Sequence, residues 1–159
     1  MADEFLDAAA SFGPRGPLLG VDLGENTIGV AACDPDRRVA TPVETIARRK
    51  FGLDAARLAE LADARGVVGL VIGLPINMDG TEGPRAQSTR AFARNLKNRS
   101  PLADAPIAFW DERLSTAAMD RELIAIDVSR AKRAARIDAA AAAYILQGAI
   151  DRLARATKA

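Results

Sequence analysis

The sequence predicts an α/β fold, one mixed five-stranded sheet with helices on both faces in the order βββαβαβαα. Three observations predict it. Three strand-like runs follow one another at the start with only short turn segments between them, as antiparallel hairpins require. Two later strand-like runs alternate with helical patterns, the arrangement of parallel βαβ units. The last quarter is rich in alanine and reads as helix.

Residues 18–24 alternate, with Leu19, Val21 and Leu23 on one strand face and Gly20, Asp22 and Gly24 on the other. Glu25 and Asn26 suit a tight hairpin into a second strand over 27–33. A third strand over 39–46 contains Pro42, which cannot donate to a ladder and so favours an edge or irregular position. Leu53, Ala56, Leu58, Ala59, Leu61 and Ala62 have helical spacing, and Gly66 closes that helix. Residues 67–73 form a continuous apolar run of the kind buried on both faces. After a loop over 74–84, a helix over 85–97 presents Ala86, Thr89, Phe92, Ala93 and Leu96 as its apolar face. Pro106 opens a short strand over 107–110. Residues 115–126 read as a further helix, and Ser129 suits the cap of a final one over 131–156. Residues 1–17 carry Asp3, Glu4 and Asp7 and end in Gly-Pro-Arg-Gly-Pro, which suggests a flexible N-terminal arm ahead of a single domain over 18–156.

With 159 residues, 49% hydrophobic and 27% charged, the chain has the composition of a globular domain able to bury a core. No apolar stretch approaches the length that spans a bilayer. The charge order at the start is wrong for a secretory signal, so the expectation is a cytoplasmic protein without a membrane partner. Cys33 is the only cysteine. It excludes an internal disulfide or a Cys-rich metal site and reads as a core residue. The net charge of +1 hides an uneven distribution, acidic in the first quarter and basic in the last.

The chain contains no histidine. Hydrolysis would therefore run without a Ser-His-Asp triad or a His-ligated zinc, whereas oxygen ligands for a hard cation are plentiful. Three acidic positions have unusual surroundings. Asp22 lies between two glycines, which leaves room beside its carboxylate for an ion or a phosphate. Asp111 and Glu112 follow directly on a strand, at the end where open α/β sheets bind ligands. Asp138 interrupts the helical stripe Ala131, Ala134, Ala135, Ala141, Ala142 and Ile145, where an ionised carboxylate needs a hydrogen bond, neutralisation or a cation. Each has a plainer account. Asp22 can be turn chemistry, residues 111–113 a solvated loop with a local ion pair, and Asp138 a carboxylate capped by a buried hydroxyl or an arginine.

Four blocks carry a resemblance: Gly20-Val21-Asp22-Leu23-Gly24 with Ile28-Gly29-Val30-Ala31; residues 73–82, Gly-Leu-Pro-Ile-Asn-Met-Asp-Gly-Thr-Glu; Trp110-Asp111-Glu112-Arg113-Leu114-Ser115-Thr116; and Ile137-Asp138-Ala139-Ala140-Ala141 with Ile145-Leu146-Gln147. The chain resembles the YqgF/RuvX family over about residues 18–151. Members of that family have an RNase H-like fold and are described as Holliday junction resolvases and as pre-16S rRNA processing nucleases. The resemblance implies that Asp22, Glu112 and Asp138 are the acidic catalytic set, with the choice between Asp111 and Glu112 open because neighbours at a strand end point in opposite directions. Many members carry a basic pair where this chain has Asn26 and Thr27.

The reaction so implied is hydrolysis of phosphodiester bonds in structured nucleic acid, precursor rRNA or a DNA junction. Two Mg2+ or Mn2+ ions roughly 4 Å apart would be held by Asp22, Glu112 and Asp138. Arg85, Arg94, Arg113, Lys132, Arg133 and Arg136 are the candidate phosphate contacts, and Asn77 and Asp79 mark a candidate substrate-positioning loop. The few aromatic residues argue against base stacking. A monomer suits a single cut and a homodimer suits a junction. A non-catalytic RNA-binding assembly factor is the alternative; an ATPase fragment is disfavoured by the lack of a P-loop.

Overall fold

The computed structural model describes residues 3–114 and 130–158, and the side chains of 3–114 and 138–157. Strands β1 (Leu18–Leu23), β2 (Thr27–Cys33), β3 (Ala40–Ala47), β4 (Gly69–Leu74) and β5 (Ile107–Asp111) form one sheet in the order β3-β2-β1-β4-β5. The β1–β2 hairpin turns where Glu25 and Asn26 predict it, and the Gly24 N–H donates to the Thr27 carbonyl at 2.9 Å. β3 runs antiparallel to β2. Its register shifts so that Val30 opposes Glu44 but Ala31 opposes Pro42. Proline brings no N–H to that ladder, and β3 takes an edge position. β4 and β5 continue the sheet in parallel with β1.

Helices cover both faces. On one, α2 (Phe51–Arg65) and α3 (Pro84–Arg99) pack over Leu19, Val21, Leu23, Ile28, Leu70 and Ile72. On the other, α4 (Arg130–Lys158) sets Ala142, Ile145, Leu146 and Ala149 against Leu18, Val71, Ala108 and Trp110. Ile145 and Leu146 are fully buried. Burial of each contributes roughly 1.5–3 kcal/mol, which anchors the helix at the sheet centre. Because side chains alternate along β1, Asp22 projects toward α4, opposite in sense to Val21 and Leu23. Gly66 ends α2 in the left-handed conformation at φ 62°, as its position predicts.

The N-terminal segment differs from the flexible arm expected over 1–17. Glu4–Ala9 forms helix α1, with Asp3 accepting from the Leu6 N–H at its start. Phe5, Ala9 and Phe12, spaced i, i+4 and i+7, are buried in the layer beneath α4. Phe5 meets Trp110 edge to face with ring centroids 5.2 Å apart. Arg37 holds the glycine-proline run, donating to the Phe12, Gly13 and Gly16 carbonyls at 3.1, 3.0 and 2.8 Å. The physical reason is that three apolar side chains on one helical stripe outweigh three acidic neighbours that face water. The helix expected over 115–126 and its successor's cap at Ser129 lie outside the described residues. No helix among those residues is long and apolar enough to cross a membrane.

Candidate functional site

Asp22 is 7% exposed and pairs across the hairpin with Gly29. Residues directly opposite in an antiparallel pair project from the same face, so Gly29 also looks toward α4. There the helix backbone comes closest, because a β-carbon on Gly29 would overlap the Asp138 carbonyl. The missing side chain lets α4 settle on the sheet and brings Asp138 beside the Asp22 strand. The other neighbour of Asp22 is β4. Val21 pairs with Ile72, and one step on along the two parallel strands come Asp22 and Gly73. A β-carbon on Gly73 would stand 2.7 Å from Glu112 Oε1 and 2.6 Å from Ile145 Cδ1. Glu112, in the short 3-10 turn after β5, therefore lays its side chain over Gly73 on the α4 face. Three acids from β1, the β5 exit and α4 thus reach one face at one end of the sheet.

Among the described residues no three His, Cys, Asp or Glu side chains form a group that could hold a metal ion. Asp138 is instead held by the Thr27 hydroxyl, which donates to its Oδ2 at 2.5 Å. That is the hydroxyl-capped arrangement open to it from sequence, and it has a physical cause. Neighbouring carboxylates repel one another, and the neutral Thr27 hydroxyl satisfies one of them. The donor set itself, all anionic oxygen and no histidine, fits a hard divalent cation.

Asp111 and Glu112 part company at the strand end. Asp111 receives the Arg113 backbone N–H at 2.9 Å and its guanidinium at 2.7 Å. Burial alone would raise the Asp111 pKa, but these contacts outweigh it and hold the carboxyl below its ordinary value. Arg113, a predicted phosphate contact, is thus engaged by Asp111, and its Nη1 lies 3.4 Å from the Asn77 and Met78 carbonyls. In the loop after β4 the polar atoms close a turn. Asn77 Nδ2 donates to Thr81 Oγ1 at 3.0 Å, and Asp79 Oδ1 accepts from the Thr81 N–H and hydroxyl. Those Thr81 bonds hold the Asp79 carboxyl below its ordinary pKa, and Gly80 supplies the positive φ of 90° that the turn requires. The side chains of Asn77 and Asp79 shape this loop.

Of the other predicted phosphate contacts, Arg85 and Arg94 are exposed on α3. Arg85 lines an open depression with Ile76, Met78, Pro84, Glu112 and Arg113, which gives Glu112 a solvent-facing border. Lys132, Arg133 and Arg136 fall on α4 ahead of Asp138, with their side chains outside the described set. Thr27 is the site residue that sequence reasoning missed. It entered there only as a departure from a basic pattern, although a threonine opening a strand beside an acidic site carries a hydroxyl that can serve a carboxylate.

Residues 16–152 match the model of the family described as RuvX: Holliday junction resolvase. A protein of Bradyrhizobium sp. (strain BTAi1 / ATCC BAA-1182) named "Putative pre-16S rRNA nuclease" is 66% identical over 149 residues, covering 94% of this chain and 91% of that one. Proteins of the same name from Rhodopseudomonas palustris (strain TIE-1) and Nitrobacter hamburgensis are 67% and 63% identical, each over 94% of this chain and 91% and 90% of theirs. Among solved structures, Thermus thermophilus RuvC in complex with a Holliday junction substrate superposes with a TM-score of 0.55 at 13% identity, covering 87% of this chain and 96% of that one. At that identity the likeness establishes the shared fold.

Proposed function

This chain belongs to the RuvX family, and from that premise we propose that it is a metal-dependent nuclease that trims the 5′ end of precursor 16S rRNA. The observation that carries the proposal is the meeting of Asp22, Glu112 and Asp138 on one sheet face, made possible by the bare backbone at Gly29 and Gly73. Relatives named for pre-16S rRNA processing support the substrate, and the family's description makes a four-way DNA junction the second substrate to test.

Asp22, Glu112 and Asp138 would hold Mg2+ or Mn2+, which when bound supplies activation of the attacking water and stabilisation of the leaving 3′ oxygen. The space beside Gly20 is taken by Leu146 and the Ala142 carbonyl of α4, so an ion would reach Asp22 from the Gly24 side of the strand end. Glu112 borders solvent and can accept a proton from an ordered water on the side of the depression. Thr27 fixes the Asp138 rotamer. Arg85 and Arg94 on α3, and Lys132, Arg133 and Arg136 on α4, grip the phosphate backbone, which makes binding strongly salt-dependent.

A second reading has one observation in its favour. The exposed Arg85 and Arg94 on α3 would serve equally an RNA-binding assembly factor that does not cut. Incubating the protein with precursor 16S RNA and with a four-way junction, with and without Mn2+, separates the two. The nuclease reading expects Mn2+-dependent cleavage that Asp138→Asn abolishes in a folded protein. Binding without cleavage in any metal supports the assembly factor.

A further inference from the structure

The junction between β3 and α2 carries the consecutive cations Arg48, Arg49 and Lys50. Ala47 pairs with Thr27, so these residues emerge at the end of the sheet that holds the acids. Arg48 ties them to the β1–β2 turn. Its N–H donates to the Asn26 carbonyl at 2.9 Å, and its Nη1 to the Gly24 carbonyl at 2.7 Å. Its guanidinium carbon also stands 5.7 Å from the centroid of the Phe92 ring. The Arg99 guanidinium joins from the end of α3, 5.1 Å over the Phe51 ring, and Phe51 meets Phe92 edge to face at 5.3 Å.

Arg49, Lys50 and Arg99 are exposed, and among the described residues none of them makes an ion pair. The nearby carboxylate of Asp54 is 2% exposed and accepts the Arg49 backbone N–H at 3.0 Å, so it is turned inward. Glu25, at the tip of the adjoining turn, pairs with none of them within the same residues. Like charges gathered this way repel unless an anion crosses them. A guanidinium stacked on a ring keeps its N–H edge for phosphate, and its stem is already ordered.

We propose that Arg49, Lys50 and Arg99, braced by Arg48, form a second phosphate-binding surface that holds the nucleic-acid backbone beyond the scissile position, across the Gly24–Thr27 turn from the three acids. This rests on the nuclease reading for its substrate, but it concerns binding alone. The ligand is a polyanionic backbone read without regard to sequence.

The test uses the full chain, a precursor 16S RNA fragment and a four-way DNA junction, with Ca2+ in place of Mn2+ and binding measured across a KCl series. Arg49→Gln/Lys50→Gln should reduce the log–log salt slope by about 1.8, two contacts at roughly 0.9 each for duplex, and raise Kd at low salt about tenfold or more. Under Mn2+ the loss should appear in KM with kcat retained. Arg15→Gln, which alters an exposed cation paired with Asp36, should leave both unchanged. Wild-type binding that the double variant preserves in slope and Kd overturns the surface and leaves the nuclease reading intact. Slope loss in a protein that never cleaves supports the surface and sinks the nuclease. A wild type that binds neither probe overturns both.

Discussion

Gly73→Ala separates the position of Glu112 from the stability of the fold. The new β-carbon would stand 2.7 Å from Glu112 Oε1 and 2.6 Å from Ile145 Cδ1, whereas ordinary contact begins at 3.4 Å. The carboxylate must therefore retreat by about 0.7 Å and the isoleucine methyl by about 0.8 Å, both at the ends of side chains that can rotate. Overpacking of this kind costs roughly 1–3 kcal/mol, so the protein should remain folded. The effect on cleavage should be larger. A misplacement near 1 Å at a reacting group costs on the order of a hundredfold in rate, so 0.7 Å predicts a loss of about tenfold to a hundredfold. Adding Ile145→Val removes Cδ1 and with it one of the two collisions. Urea denaturation of the double variant should recover part of the stability, while single-turnover cleavage of precursor 16S RNA should stay low because Glu112 is still displaced. Cleavage at the wild-type rate in Gly73→Ala would refute the role given to Glu112 over Gly73.

Thr27→Val removes the hydroxyl that donates to Asp138 and leaves a partly buried acceptor short of a partner, a loss of about 1–3 kcal/mol; cleavage should fall with it and return in Thr27→Ser, and equal rates in all three proteins would dismiss the contact. Phe5→Ala empties the pocket against Trp110 and should cost about 3–5 kcal/mol in urea denaturation, followed by the fluorescence of the single tryptophan. An unchanged midpoint would show that α1 contributes little. The Asp111–Arg113 pair gives stability a defined pH dependence. The folded pKa of Asp111 lies below its unfolded value of roughly 3.9, so the pair contributes above that pH and is lost as pH falls through the lower folded value. Asp111→Asn should flatten that part of the acid limb in a plot of denaturation midpoint against pH, and an identical limb would contradict the assignment.

Local chemistry made most of the fold legible in the sequence. Alternation around Val21, the proline in β3 and the glycine after α2 each act over a few residues, and the strands and helices they predict are present. The α1 helix was hidden because the stripe of Phe5 and Ala9, continued by Phe12 in the 3-10 turn that follows, matters only once Trp110 is beside it. At the site, the three acids were visible one at a time, but what brings them together was not. Gly29 and Gly73 act by having no side chain where a distant helix and a distant turn arrive, and that requirement follows from tertiary contact. The same applies to Arg113. As a lone cation in a loop it suits a phosphate, yet a two-residue step back to Asp111 engages it in an ion pair. The run Arg48-Arg49-Lys50 stood in plain view, and only the strand pairing places it at the sheet end that carries the acids.

The proposed nuclease requires Asp22, Glu112 and Asp138 to hold a divalent cation together. Titrating Mn2+ into the wild type and into Asp22→Asn, Glu112→Gln and Asp138→Asn, with free Mn2+ read by electron paramagnetic resonance, tests it without relying on any substrate. Saturable binding is expected in the wild type, weakened at least tenfold by each substitution while circular dichroism stays native. Mn2+ binding of equal strength in all four proteins, or none in the wild type, would contradict it.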